Sequence, residues 1–442
     1  MNTLPETAPL KRVVGVGSLG LNVVNLTIAA GIFGLPAIIA AILGAQAILA
    51  YLLCAVLFGL VGLCFAEAGS RVGSAGGLYA YASAPFGPIV GGVAGTLLWV
   101  TTGAAADAAI VNLLVDTLSA VIPILGAPWV RVVIILALFV AVAMINIRGV
   151  TYGLRLSAAL TIIKIAPLAV LLIGGAFVID PSKFFWSGMP SLHNIAKASI
   201  ILFFAFIGVE SALSMSGEVI RPSRTIPRGI LMGLLIIAGL YVGLQLVAQG
   251  TLGPALAQSR APLVDAAKII FGSWGSSLIV VAVAISACGC IAADLLSTPR
   301  VLHAFAQRGQ LPRQVAAIHP RFGTPAVAIV VYAFVCAALA LSGTFRQLGT
   351  LASSGTLLVY LVCCLGVLRL RAKNIVSDEA PFRVPFGPVV PLAACAIILW
   401  MLSTLTLREL SAALIFVAAV GAAYTVHQFR RPPRQLDPPA GH

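Results

Sequence analysis

The sequence predicts an all-α integral membrane protein with 12 transmembrane helices. Three observations lead there. The 442 residues are 60% hydrophobic and only 9% charged, whereas a soluble domain carries about a quarter of its residues as charges. Apolar windows of about twenty residues, each the length that crosses a bilayer, recur along the chain. Lys and Arg sort by side between those windows: with the N-terminus inside, nineteen of the 27 face the cytoplasm and seven face outward, with Lys164 left inside a span. That bias puts both termini in the cytoplasm. It also explains the net charge of +14 without nucleic acid, because the charges are spread over short loops.

The windows fall near 14–40, 45–69, 88–122, 130–147, 154–178, 196–219, 229–250, 274–298, 324–342, 349–369, 388–406 and 409–428. None shows the ten-residue alternation of barrel strands. Residues 1–12 read as a cytoplasmic segment, 13–428 as one membrane domain and 429–442 ("RRPPRQLDPPAGH" with the residue before it) as a disordered cytoplasmic tail. The first apolar run is too long for a cleaved signal peptide and is expected to stay as a span. The eight cysteines lie almost entirely in apolar runs and read as small buried hydrophobes, and no second Cys or His cluster supports a zinc site at Cys288 and Cys290. No Cys-His or Ser-His-Asp set occurs, and none of the five histidines is mid-span, so an enzyme is not expected and no cofactor is implied.

Span one contains "TIAAGIFGLP", Thr27 to Pro36, with two glycines and a proline where an unbroken helix looks safest. In a bilayer every backbone amide and carbonyl needs a partner, so interrupted helix is tolerated only where it is buried in protein or lines a cavity. Proline suits the first turn of a helix, which predicts a second half-helix starting near Gly31. Span six repeats the feature, with Gly208 and Glu210 inside its apolar run. One such glycine alone is read as close helix packing. Spans one and six are corresponding members of two five-helix halves, however, and paired interruptions point to a midplane binding site between inverted repeats.

In order along the chain come "AAGIFGLP", "AEAGSRVGSAGGLYAYASAPFG", "FAFIGVES", "GEVIRPSRTIP", "STPRVLHAFAQRGQLP" and "APFRVP". With this order and spacing the sequence resembles the amino acid–polyamine–organocation (APC) permeases, in the basic amino acid/polyamine or a related branch, from about Gly15 to Pro391. The resemblance implies a 5+5 inverted repeat with discontinuous helices 1 and 6 (repeats about 13–178 and 196–371) plus helices 11 and 12. It implies a secondary amino acid transporter of the cell (inner) membrane, with an amino acid as partner and no nucleic acid. The substrate carboxylate would meet the backbone of Ala30, Gly31 and Ile32, where a helix N-terminus carries partial positive charge. The ammonium would meet carbonyls near Thr27, Phe204 and Ile207, beside Gly208. Related permeases often carry Gly-Ser-Gly or Gly-Ala-Gly where this chain has Ala29-Ala30-Gly31, so the backbone contacts carry the expectation.

Several ionisable and aromatic residues in spans need an account. Lys164 reads either as a structural contact, to a carboxylate or to backbone carbonyls, or as the proton-coupling group; several proton-dependent members of the family carry a lysine at that place. Asp107 has three open readings: a pair with Lys164, a counter-ion for a cationic substrate, or a polar contact near the end of its span. Glu210 reads as a cap on the broken-helix amides or as a proton-coupling group. Glu67, Glu218 and Asp294 are expected to pair with arginines such as Arg71 or Arg300. Asp116 has no clear reading. Among Phe33, Phe203, Phe204 and Phe206, the resemblance singles out Phe204 as a gate. Ser353 and Ser354 are candidates to line the pocket. Protons are expected as the coupling ion. Exchange of an amino acid or polyamine is the alternative, and a channel or sensor is disfavoured by the scarcity of polar residues in the spans.

Overall fold

The computed structural model describes residues 14–72, 77–148, 154–186, 188–210, 219–307, 311–375 and 381–429. Residues 1–12, Glu218 and residues 430–442 of the expected tail lie outside these. Among the described residues the chain is helical, with a single isolated bridge between Val14 and Val219.

The first half of the chain gives α1 (Val16–Thr27), α2 (Leu35–Leu43), α3 (Ile48–Val72), α4 (Gly77–Phe86), α5 (Pro88–Leu97), α6 (Ala106–Val121), α7 (Pro128–Ile147) and α8 (Leu154–Ala176). The second gives α9 (Leu192–Leu202), α10 (Pro222–Leu252), α11 (Pro262–Phe271), α12 (Ser273–Gln307), α13 (Ala326–Ser342), α14 (Phe345–Ala372), α15 (Val389–Leu402) and α16 (Leu407–Phe429). Helix falls in each of the twelve apolar windows. Among the described residues, six runs are long and apolar enough to cross a membrane: Leu35–Val72, Pro88–Val121, Pro128–Ile147, Ser223–Gln258, Ser273–Gln307 and Phe345–Ala372. Three shorter apolar helices (Val16–Thr27, Leu192–Phe206 and Ala326–Ser342), the apolar stretch Ile163–Ala176 of the 23-residue α8 and a pair bent by 120° (Val389–Leu402 with Leu407–Ala422) accompany them. A helix of 10–17 residues rises roughly 15–25 Å, short of the ~30 Å hydrocarbon core. The architecture is therefore that of a multi-span, all-helical membrane protein, while the count of twelve crossings rests on the apolar windows.

The outside of the bundle is apolar: Phe334 is 72% exposed, Trp129 69% and Ile415 68%. Such a surface suits lipid and not water. Polarity is found inside. Tyr51, Tyr81, Tyr241, Tyr332 and Tyr360 are all fully buried. Helix α1 lies along α10, where Leu19 and Val23 sit against Gly229 and Gly233, the close backbone approach that small residues permit between membrane helices. Between α5 and α6 the helix continues but widens to a π-helical stretch, Leu98–Ala105. Thr101 there donates to the Leu97 carbonyl at 2.7 Å, and the Thr102 hydroxyl bonds that of Thr356 on α14, also at 2.7 Å. The wide turns thus have polar partners of their own.

Candidate functional site

Helix α1 stops at Thr27. Ile28 and Ala29 leave helical geometry, with ψ of 89° and −177°. A 3-10 turn, Ala30–Phe33, leads into α2, which carries Pro36 in its first turn. The local cause is legible: Gly31 and Gly34 weaken the helix, and proline is tolerated only where its missing amide would be unpaired anyway. Across from it, α9 runs into a 3-10 turn, Phe203–Phe206, after which Ile207 is extended and Gly208 takes φ +132°. Only glycine adopts that conformation readily. It also brings the backbones together, since a Cβ at Gly208 would stand 2.5 Å from the Leu26 carbonyl oxygen. The two breaks touch.

Polar side chains from four other helices converge on them. The Tyr241 hydroxyl of α10 lies 3.2 Å from the Thr27 carbonyl and 2.9 Å from that of Ala205, one oxygen at each break. The ammonium of Lys164, on α8, donates to the Asn25 carbonyl at 2.7 Å in the last turn of α1. Glu210 Oε2 accepts from the Gly208 amide at 3.1 Å and from the Tyr360 hydroxyl of α14. On α12, the Cys290 thiol lies near the Ala30 amide. The Phe204 ring lies on Gly31 and meets Phe345 edge to face at 5.8 Å between centroids. Ser353 is fully buried with an unpartnered hydroxyl, whereas Ser354 bonds the Leu351 carbonyl at 3.1 Å.

Thr27, Ala30, Gly31, Ile32, Phe204, Ile207, Gly208, Lys164 and Glu210 thus lie at or beside the two breaks, with Lys164 on the last turn of α1. Some expectations need revision. Asp107 and Lys164 do not pair. Lys164 is turned to a main-chain carbonyl, and Asp107 accepts from the Tyr332 hydroxyl at 3.0 Å, with the Cys336 sulfur at 4.0 Å. The carbonyl of Thr27 is not open to a substrate ammonium here, because the Ala29 amide (2.8 Å) and Tyr241 already occupy it. Asp294 does not reach Arg300. Six residues apart on one helix, the two lie roughly 120° apart around its axis, and the Asp294 carboxyl turns inward to face that of Asp107.

Other acids pair as charges do. Glu67 holds Arg71 at 2.9 Å and Arg371 at 2.6 Å, and accepts from the Val384 amide at 2.8 Å. Asp116 binds Arg131 at 2.5 Å, which also reaches Asn112. Sequence reasoning missed Tyr241, Tyr332 and Tyr360. Their one signal is a phenol in an apolar span, where a buried hydroxyl must find an acceptor.

With this geometry in hand, comparison with known proteins is informative. The family model described as "Amino acid permease" matches residues 16–428. The serine/threonine exchanger SteT of Bacillus subtilis (strain 168) is 29% identical over 88% of this chain and 90% of its own length. The branched-chain amino acid permease BcaP of Lactococcus lactis subsp. cremoris (strain MG1363) is 30% identical over 83% of this chain and 84% of its own. The methylthioribose transporter of Bacillus subtilis (strain 168) is 28% identical, covering 90% of each.

Proposed function

The chain belongs to the amino acid permease family, and from that premise we propose that it carries an amino acid across the cell membrane by alternating access, driven by protons. As a member of that family it is a multi-pass membrane transporter and not an enzyme. The observation that carries the proposal is the contact of the two breaks, with Gly208 against Leu26 and Thr27.

The amide end of the 3-10 turn at Ala30, Gly31 and Ile32 offers donors to a carboxylate, and the carbonyl ends of α1 and α9 offer acceptors to an ammonium. Opposed helix ends of this kind suit a zwitterion whose charges are a few ångströms apart. In the conformation described, protein groups fill both positions: Tyr241 covers the Thr27 carbonyl, and Phe204 covers Gly31. Substrate entry therefore requires Phe204 to swing off Gly31 and Tyr241 to release Thr27, keeping Ala205. That exchange loosens the tie between the breaks, and the half-helices of spans one and six then tilt to open the cytoplasmic side. Lys164, Asp107 and Glu210 are the groups proposed to couple this cycle to protons. A 5+5 inverted repeat of twelve spans, with both termini in the cytoplasm, is the arrangement in which such a cycle runs.

A second reading is exchange of one substrate for another, favoured by the relative whose name is that of an exchanger. Proteoliposome uptake separates the two. A radiolabelled amino acid panel is offered with and without an inward proton gradient, and with and without substrate preloaded inside. Gradient-stimulated uptake supports the first reading, and dependence on preloaded substrate the second. No amino acid uptake under any condition would sink both.

A further inference from the structure

Among the described residues, one pair of groups in the bundle has no cation to balance it. Asp107 is completely buried in α6, and Asp294 on α12 is half-buried. Their carboxyls face each other. Asp107 Oδ2 takes the Tyr332 hydroxyl at 3.0 Å, but Oδ1 has no donor among the described residues. The other titratable groups that face the pair are the Cys336 thiol and Tyr332 from α13 and the Cys290 thiol on α12, with Glu210 in electrostatic range of Asp294. None is a cation. Lys164 reaches the cluster only through Cys290, and its ammonium is bonded to the Asn25 carbonyl. Two carboxylates cannot face each other in an apolar site with no cation between them. A proton between the two gives Oδ1 its missing partner and removes one charge.

We propose that Asp107 and Asp294 hold one proton between their facing carboxyls, and that this pair is where the proton moved with the substrate is carried. The inference rests on the proton-coupled reading above and gives that reading a site. Only O–H bonds change: water on one side of the bilayer supplies the proton and water on the other side accepts it. The half-buried Asp294 is the way in, because Asp107 has no exposed surface of its own. Asp294 follows Cys290 by four residues, on the same face of α12. Cys290 in turn lies near the Ala30 amide of the proposed carboxylate seat. A substrate that draws that amide towards its carboxylate changes the packing of Cys290 and lets α12 shift against α6, which opens the proton pair. Occupancy of the first break and of the carboxyl pair are thereby linked.

Two measurements on the full-length protein in liposomes test this. Infrared difference spectra across a pH titration should contain a carboxylic C=O band, recorded on a Glu210→Gln background so that Glu210 does not contribute. Asp107→Asn and Asp294→Asn should each remove that same band, because one proton is shared. A band that survives in either variant assigns the proton to one residue and overturns the inference. The second measurement is the ratio of radiolabelled serine and leucine uptake with and without an inward proton gradient, a ratio insensitive to the amount of folded protein. Asparagine keeps the shape and supplies an N–H, so each variant should fold yet lose the gradient response, the ratio falling to about one, which is zero coupling free energy. An unchanged ratio in Asp294→Asn overturns the inference. Loss of the band in both variants when the wild type shows no gradient response keeps the shared proton and removes the coupled-transport reading. A gradient response whose band survives does the reverse.

Discussion

The Phe204 ring lies on Gly31 so closely that a Cβ at residue 31 would stand 2.7 Å from its Cε1. The contact joins the two breaks side chain to backbone. Gly31→Ala must displace the ring, and overpacking of this kind costs about 1–3 kcal/mol. We expect a lower melting temperature in detergent and slower uptake. Phe204→Leu combined with Gly31→Ala should recover most of the stability, and the double-mutant cycle should give a coupling of at least ~0.5 kcal/mol. Simple additivity would mean that the ring and Gly31 act independently.

Tyr241→Phe removes one hydroxyl from between two carbonyls. Thr27 keeps the Ala29 amide, while Ala205 loses the donor at 2.9 Å. An unsatisfied buried acceptor costs about 1–3 kcal/mol. Because the lost bond ties the breaks together, exchange of backbone amides near 27–30 and 203–208 for deuterium should speed up more than exchange in α3 or α14. Uniform acceleration across the protein would contradict the local role.

Tyr360→Phe leaves Glu210 Oε2 with only the Gly208 amide and leaves Oε1 as it is, without a donor. The lost bond has a charged or acidic partner and is worth roughly 1.5–3 kcal/mol. We expect uptake to fall while detergent extraction and monodispersity hold. Glu210→Gln, which keeps an acceptor for both donors, should be milder in stability than Tyr360→Phe. The reverse ranking in thermal melts would show that Tyr360 acts by packing alone, through its edge contact with Phe65 at 4.9 Å.

Glu67→Gln should be the most destabilising of these changes. Arg71 is 6% exposed and Arg371 22%, and both depend on the one carboxylate, as does the Val384 amide. Removing the centre of a buried ion pair costs about 3–5 kcal/mol, since the remaining charge is left uncompensated. Thermal unfolding of the purified protein reads this directly. A shift no larger than that of an exposed change such as Arg408→Gln would show that water reaches the pair.

Much of this site is legible in the sequence, for a physical reason. Hydrophobicity is a local property, so windows of apolar residues fall where helices form. Gly31, Pro36 and Gly208 act on the backbone at their own positions, so the breaks can be read without knowing what lies across from them. Partners over long sequence distance cannot be read in that way. Asp294 looks like a neighbour of Arg300 along the chain, yet helical phase turns it towards Asp107, 187 positions earlier. The same holds for Tyr241, Tyr332 and Tyr360: each phenol is visible in its span, but not which carbonyl or carboxylate its helix brings it to.

The π-helical stretch Leu98–Ala105 ends one residue before α6 begins, and Asp107 is the second residue of that helix. A π turn holds one residue more than an α turn, and each residue turns a helix by roughly 100°. The compass bearing of Asp107 is therefore set by a count of residues upstream of it. A chain shortened by one residue within 98–105 that kept its π-helical turns would keep every chemical group of the site. It would aim the Asp107 carboxylate about a quarter turn away from Asp294. Length, and not only composition, is part of what this span encodes.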